Sequence, residues 1–156
     1  MNSLKTILYM GSLHGFFTFY APFQLATWSA PLFDWGIVRY LAIPLWMLGA
    51  SIILRCCMDI VRRGGGTPAH TDPPKQLIST GLYHQVRNPI YFGALLALVG
   101  HIIWSGSGWV IVYFLCYAIA FHILIVVFEE PILRTKFGAV YEEYLNQVPR
   151  WLPHWK

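Results

Sequence analysis

The feature that most constrains this chain is an unbroken apolar run from Trp109 to Phe128. The run carries no formal charge, and about 20 apolar residues of helix are needed to cross the roughly 30 Å hydrocarbon core of a bilayer. The composition agrees, because 56% of the residues are hydrophobic and only 12% are charged, against about 25% charged residues in an ordinary soluble domain. The sequence therefore predicts an integral membrane protein.

Three further apolar segments precede this run, at about Ile7 to Leu25, Ile37 to Leu54 and Ile90 to Trp104. The last of them is joined to the Trp109 run by the turn-forming stretch Ser105–Gly108, which predicts an antiparallel helical hairpin. The expected fold is an all-α, polytopic membrane protein with about four transmembrane helices and a C-terminal amphipathic helix.

The amphipathic helix is predicted from the spacing of apolar residues after the last run. Pro131 is expected to start a new helix, because proline suits the first helical position. From Leu133 onward, apolar residues recur every three or four positions, which is typical of a helix with one apolar face. Pro149 is expected to end this helix.

We expect residues 1–156 to form one membrane domain. It consists of an N-terminal helix pair (1–60), a cytoplasmic loop (61–88), and a hairpin with the C-terminal helix (89–156). Basic residues cluster in the loop and after the last run, which predicts that both termini, the long loop and the polar segments beside it are cytoplasmic. The net charge of +4 is not gathered into a basic tract, so no nucleic-acid partner is expected.

Polar side chains gather at two boundaries of the apolar runs. The segment from Gly81 to Tyr91 places an arginine, an amide and two tyrosines at the threshold of the third run, and loops at the mouth of a bundle commonly carry binding sites. Glu129 and Glu130 directly follow the uncharged run. Two adjacent carboxylates at a membrane boundary require water, a cation or a basic partner.

Five short motifs in this half of the chain resemble those of one enzyme superfamily. In order, they are Gly81-x-Tyr83, Val86-Arg87-Asn88-Pro89-x-Tyr91, Glu129-Glu130-Pro131-x-Leu133, Phe137-Gly138-x-x-Tyr141-x-x-Tyr144 and Val148-Pro149-Arg150-x-x-Pro153. Together they resemble the isoprenylcysteine carboxyl methyltransferase and phospholipid methyltransferase superfamily. The resemblance implies an integral membrane methyltransferase that uses S-adenosylmethionine and needs no metal. It also places the cofactor pocket between the ends of the last two membrane helices and the C-terminal helix.

The resemblance and the side-chain chemistry together predict the site residues. S-adenosylmethionine carries a sulfonium, an ammonium and a carboxylate, so its site needs anionic or aromatic groups and donors for the acid. The predicted cofactor-binding residues are Gly81, Tyr83, His84, Val86, Arg87, Asn88, Pro89, Tyr91, Glu129, Glu130, Leu133, Tyr141 and Tyr144. Catalytic roles are predicted for Arg87, Glu129 and Glu130, and substrate binding for Arg150.

Position 88 departs from the superfamily pattern. Many members have histidine where this chain has Asn88. Asparagine keeps a donor and an acceptor but does not titrate near neutral pH, so proton transfer is not expected there.

Simpler interpretations remain for several of these side chains. Arg87 can anchor a helix end at phosphate headgroups, and the glutamates can form interfacial salt bridges with Arg87 or Arg134. Tyr141 and Tyr144 can be interface anchors.

Three functions of different classes follow from these patterns. The first is methyl transfer from S-adenosylmethionine to a lipophilic, membrane-associated acceptor, either a prenylcysteine-like carboxylate or a lipid amine. The second is a membrane reductase that uses NADPH, because the C-terminal region of sterol reductases resembles this superfamily. The third is a non-catalytic tetraspan membrane protein. The sequence does not choose the acceptor or the oligomeric state.

Overall fold

The computed structural model describes residue 8 and residues 12–28, 30–64 and 75–152. Every regular element within these residues is helical. The all-α prediction is therefore confirmed for the described part of the chain.

Two helices in the described residues are long and apolar enough to cross a membrane. They span Gly36–Gly64 and Gly108–Phe137 and contain 29 and 30 residues. At about 1.5 Å per residue each reaches about 43 to 45 Å, which exceeds the roughly 30 Å bilayer core. Large apolar side chains on both helices are exposed, as expected of surfaces that face lipid rather than water.

The predicted count of four spans is not confirmed. The third predicted span corresponds to α4, Pro89–Ser105, which has only 17 residues and is about 26 Å long. The first predicted span corresponds to a π-helical segment, Gly15–Tyr20, that continues into α1, Ala21–Thr27. The start of that span lies partly outside the described residues.

The helix Gly36–Gly64 is built from three segments. A 3₁₀ segment, Gly36–Leu41, leads into α2, Ala42–Asp59, and a π-helical segment, Ile60–Gly64, follows.

Glycines bring α2 and α4 into close contact. A Cβ atom on Gly49 would lie 2.5 Å from the carbonyl oxygen of Gly93, and one on Gly100 would lie 2.8 Å from the Trp46 ring. Membrane helices use small residues in this way because lipid offers no hydrophobic driving force for their association. The two helices run antiparallel, so the end of α2 lies beside the beginning of α4.

The predicted hairpin between the third and fourth runs is present. α4 ends at Ser105 and α5 begins at Gly108, Gly108–Leu124. Gly106 adopts a left-handed conformation, and a Cβ atom there would lie 2.0 Å from the carbonyl oxygen of Phe33. Only glycine fits this turn.

Pro131 lies in the first turn of an α-helical segment, as expected, but no break separates that segment from the preceding helix. α5 continues through a π-helical segment, Ile125–Glu129, into α6, Glu130–Phe137. A proline normally clashes with the carbonyl group four residues earlier, and the wider π turn immediately before it accommodates the ring. The glutamate pair therefore lies within one continuous helix.

The single C-terminal amphipathic helix is replaced by two short helices. α6 ends at Phe137, and α7 spans Ala139–Gln147. Gly138 separates them with φ 55° and ψ −132°, a conformation that side-chain-bearing residues rarely adopt. Tyr141, Tyr144 and Val148 are buried on the inner face, and α7 ends before Pro149 as predicted.

Candidate functional site

The segment before α4 forms one wall of the candidate site. Gly81, with φ 67°, precedes the short helix α3, Leu82–Gln85. Asn88 then takes a non-helical conformation and α4 begins at Pro89, because the residue before a proline is disfavoured in the helical region. This bend directs the segment toward the C-terminal tail.

Backbone contacts join this segment to the tail. The amide of Arg87 donates to the carbonyl oxygen of Pro149 over 2.9 Å. The Asn88 side chain donates to the carbonyl oxygen of Arg150 at 3.5 Å. Asn88 thus serves as a donor here, a role that needs no titration.

Arg87, Glu130 and Arg150 form a buried ion cluster. The Nη1 atom of Arg87 lies 3.1 Å from Oε1 of Glu130. Arg150 holds both carboxylate oxygens, with Nε 2.9 Å from Oε1 and Nη2 3.1 Å from Oε2. The Glu130 side chain is 5% exposed, against 14% for Arg87 and 29% for Arg150. Three hydrogen bonds from two guanidinium groups engage both Glu130 oxygens, so this carboxylate is well placed to hold the two arginines.

Glu129 has a different partner from its neighbour. The hydroxyl group of Tyr91 donates a hydrogen bond to Oε1 of Glu129. The Tyr91 ring packs on Phe121 with centroids 4.6 Å apart. The two adjacent glutamates therefore tie α4 and the tail to the same helix through separate contacts.

A cavity of about 90 Å³ lies beside the ion cluster. It is lined by Ile60, Gln76, Leu77, Ile78, Tyr83, Arg87, Asn88, Leu133, Phe137, Tyr141 and Tyr144. This volume has room for several water molecules but not for a nucleoside. A cofactor-sized ligand therefore requires the surrounding side chains or helices to move apart.

The structure brings six predicted cofactor residues into this lining and leaves others beside it. The six are Tyr83, Arg87, Asn88, Leu133, Tyr141 and Tyr144. The remaining ones, Gly81, His84, Val86, Pro89, Tyr91, Glu129 and Glu130, are outside the lining, as is Arg150. His84 is exposed, whereas Val86 and Pro89 are buried. The roles assigned to all these residues stay predictions.

The three tyrosines of the lining are kept protonated. Burial raises the pKa of Tyr141 to about 12, and the carboxylate of Glu130 adds to the shift. Burial also raises the pKa of Tyr83 and of Tyr144 above the ordinary value of 10. The hydroxyl group of Tyr144 donates to the carbonyl oxygen of Tyr83 over 2.6 Å. At neutral pH these rings offer hydroxyl donors and aromatic faces, not anions.

Sequence reasoning missed several residues at this end of the bundle. Ile60 and the stretch 76–78 line the cavity but resemble connector residues in sequence. Asp59 is a buried carboxylate at the end of α2. The signal that marks it is a lone acid in the last turn of an otherwise apolar helix.

The lining fits a ligand that carries an acidic group. The Nε atom of Arg87 is buried and has no hydrogen-bond partner among the described residues, and an unsatisfied buried donor is costly unless a ligand or water meets it. A carboxylate at this point would complete the guanidinium contacts. The aromatic faces of Tyr83, Tyr141 and Tyr144 suit a cationic group.

Comparison with known proteins bears on this site directly. A sequence profile of phospholipid methyltransferases matches residues 37–140, which include the Gly81-to-Tyr91 segment and both glutamates. No curated protein and no solved structure matches significantly. Because the profile covers about two thirds of the chain, the chain belongs to the phospholipid methyltransferase family.

Proposed function

We propose that this membrane protein transfers a methyl group from S-adenosylmethionine to a lipophilic acceptor that reaches the site from the bilayer. The observation that carries the proposal is that Arg87, which is paired with Glu130, lines one cavity together with Tyr83, Tyr141 and Tyr144, in a chain whose family is that of methyltransferases. S-adenosylmethionine supplies an activated methyl group, so positioning and exclusion of water can provide much of the acceleration.

Arg87 is the proposed anchor for the carboxylate of the methyl donor. Its Nη1 atom donates to Glu130, while its Nε atom has no hydrogen-bond partner among the residues that the structure describes. The ion pair fixes the guanidinium group, and the unsatisfied N–H remains for a ligand. Glu130 thereby positions the guanidinium group of Arg87, and Arg150 in turn holds the Glu130 carboxylate.

The tyrosines and Glu129 have complementary proposed roles. Tyr83, Tyr141 and Tyr144 present neutral rings to the cation of the donor. Glu129 is the proposed acceptor for the proton that an amine loses on methylation. For a carboxylate acceptor no such proton has to be removed, and Arg150 is the proposed contact for the negative charge.

The acceptor is proposed to be a membrane amphiphile, either a lipid amine or a prenylcysteine-like carboxylate. The site lies at the ends of helices whose apolar side chains are exposed, so an amphiphile in the bilayer can place its head beside the cavity. We further propose that this end of the bundle faces the cytoplasm, on the basis of the basic residues around it. No nucleic-acid partner is proposed.

Calorimetric titration of the detergent-solubilised protein with S-adenosylhomocysteine and with NADPH tests the proposal. We expect micromolar binding of S-adenosylhomocysteine and no binding of NADPH. Binding of NADPH alone would select the reductase function, and binding of neither would favour the non-catalytic function. Arg87→Ala should weaken binding of S-adenosylhomocysteine while leaving solubilisation intact. The exposed Glu143→Gln serves as the matched control for a changed charge.

A further inference from the structure

Asp59 is a buried carboxylate that none of the roles above uses. It is the last residue of α2, and its side chain is 7% exposed. The next residue, Ile60, lines the cavity. Cys56, one turn earlier on α2, belongs to the apolar cluster against which Tyr83 packs, and Tyr83 also lines the cavity. Asp59 thus belongs to the helix end that forms one side of the candidate site.

Two arginines lie beside the Asp59 carboxylate, but one of its oxygens accepts no hydrogen bond within the described part of the chain. Arg55 and Arg63 each place Nε 3.6 Å from one carboxylate oxygen, which is longer than the usual N–H···O range. These arginines are 62% and 50% exposed, so their ion pairs are largely screened by solvent. The Oδ2 atom of Asp59 is buried and accepts no hydrogen bond within the described residues.

One residue that lies next to this buried oxygen is Gly81. A Cβ atom on Gly81 would lie 3.5 Å from Oδ2 of Asp59. Gly81 adopts φ 67° and ψ −132°, a conformation that favours glycine. The glycine that the motif requires for its backbone shape thus also keeps a side chain away from the carboxylate.

We infer that Asp59 binds the methyl donor by accepting hydrogen bonds from the hydroxyl groups of its ribose. This inference rests on the proposed function. A cation would gain little here, because two arginines already balance the negative charge. A neutral vicinal diol supplies the missing donors without adding charge, and a carboxylate that holds ribose hydroxyls is a recurring feature of nucleotide sites. Asp59 and Arg87 would then hold two separate groups of one ligand, the ribose and the amino-acid carboxylate.

The test uses calorimetry on the full-length protein in detergent. Asp59→Asn should weaken binding of S-adenosylhomocysteine and of 5′-methylthioadenosine about tenfold or more, since both ligands carry the ribose and charged hydrogen bonds are worth that much. The 2′-deoxy analogue of S-adenosylhomocysteine should bind the wild-type protein about tenfold more weakly than its parent. The same analogue should bind Asp59→Asn about as well as the parent does.

Matched variants separate this role from a structural one. Arg55→Gln and Arg63→Gln remove the ion pairs but keep the carboxylate, and should retain wild-type affinity. Asp34→Asn removes a carboxylate that accepts a hydrogen bond from the Gly36 amide in its local turn and should have no effect. The melting temperature of each variant reports whether it is folded.

Several outcomes would overturn the inference. One is unchanged affinity of Asp59→Asn; another is an equal loss of affinity in the arginine variants. Weaker binding of S-adenosylmethionine but not of S-adenosylhomocysteine would show that Asp59 recognises the sulfonium. If Asp59→Asn does not fold, a 2′-deoxy analogue that binds the wild-type protein as tightly as its parent overturns the inference. Failure of the wild-type protein to bind any of these ligands would instead refute the proposed function.

Discussion

Replacing Glu130 by glutamine tests how strongly the ion cluster holds the site together. The substitution keeps the size of the side chain but removes the charge that faces Arg87 and Arg150, whose side chains are 14% and 29% exposed. Removing one partner of a fully buried ion pair costs about 3 to 5 kcal/mol, because a charge is left buried and uncompensated. Since both arginines retain some solvent contact, we expect a loss near 3 kcal/mol, at the lower end of that range.

The assay is thermal unfolding in detergent, followed by circular dichroism. A loss of about 3 kcal/mol corresponds to a melting temperature lowered by about 6 to 12 °C in a chain of this size. The control is Glu142→Gln, which removes the 2.9 Å ion pair with Arg134. Those side chains are 55% and 49% exposed, so that change should cost at most about 1 kcal/mol. If the two variants melt within about 2 °C of each other, the cluster does not stabilise the fold as we infer.

Three further predictions concern packing, backbone shape and pH. Gly49→Leu should prevent the folded protein from accumulating, because the new Cβ atom would clash with the carbonyl group of Gly93. The control Gly15→Leu, where a Cβ atom would meet open space, should express normally. Size-exclusion chromatography compares the amount of folded protein that each variant yields. Gly138→Ala should lower the free energy of unfolding by about 1 to 3 kcal/mol, because alanine is strained at the positive φ of this position. The shift in melting temperature measures this loss, and an unchanged melting temperature would contradict the break between α6 and α7. Raising the pH from 10 to about 12 should destabilise the protein, because the folded state keeps Tyr141 protonated up to its raised pKa of about 12, while the unfolded state loses that proton near pH 10. The melting temperature of Tyr141→Phe should fall less steeply over this pH range than that of the wild-type protein. Equal falls in the two proteins would refute the raised pKa.

From the sequence, the meeting of Arg87 and Glu130 at one site could be predicted only by taking several motifs together. Arg87 and Glu130 are 43 residues apart, and no local pattern requires them to meet. The motif order and the predicted hairpin together placed them at one end of the bundle. The partner of each glutamate could not be predicted from the sequence, because adjacent residues on a helix point in different directions. Only the packing of the helices decides that Glu130 contacts the arginines and Glu129 contacts Tyr91.

Helix boundaries after the last apolar run were harder to predict. The three- and four-residue spacing of Leu133, Phe137, Tyr141 and Tyr144 continues across Gly138, so the pattern conceals the break. Pro131 normally signals a new helix, but the π turn before it is not visible in sequence. Asp59 was overlooked because an acid at the end of an apolar helix usually faces water, and its burial depends on the returning segment near Gly81.

The most direct test of the central claim is methyl transfer itself. Purified protein is incubated with radiolabelled S-adenosylmethionine and a total lipid extract, and the labelled products are separated and identified. The account predicts label in an amphiphilic product with the wild-type protein and with Glu143→Gln, and label reduced at least tenfold with Arg87→Ala. Equal labelling by Arg87→Ala, or no labelled lipid with the wild-type protein despite its binding of S-adenosylhomocysteine, would contradict it.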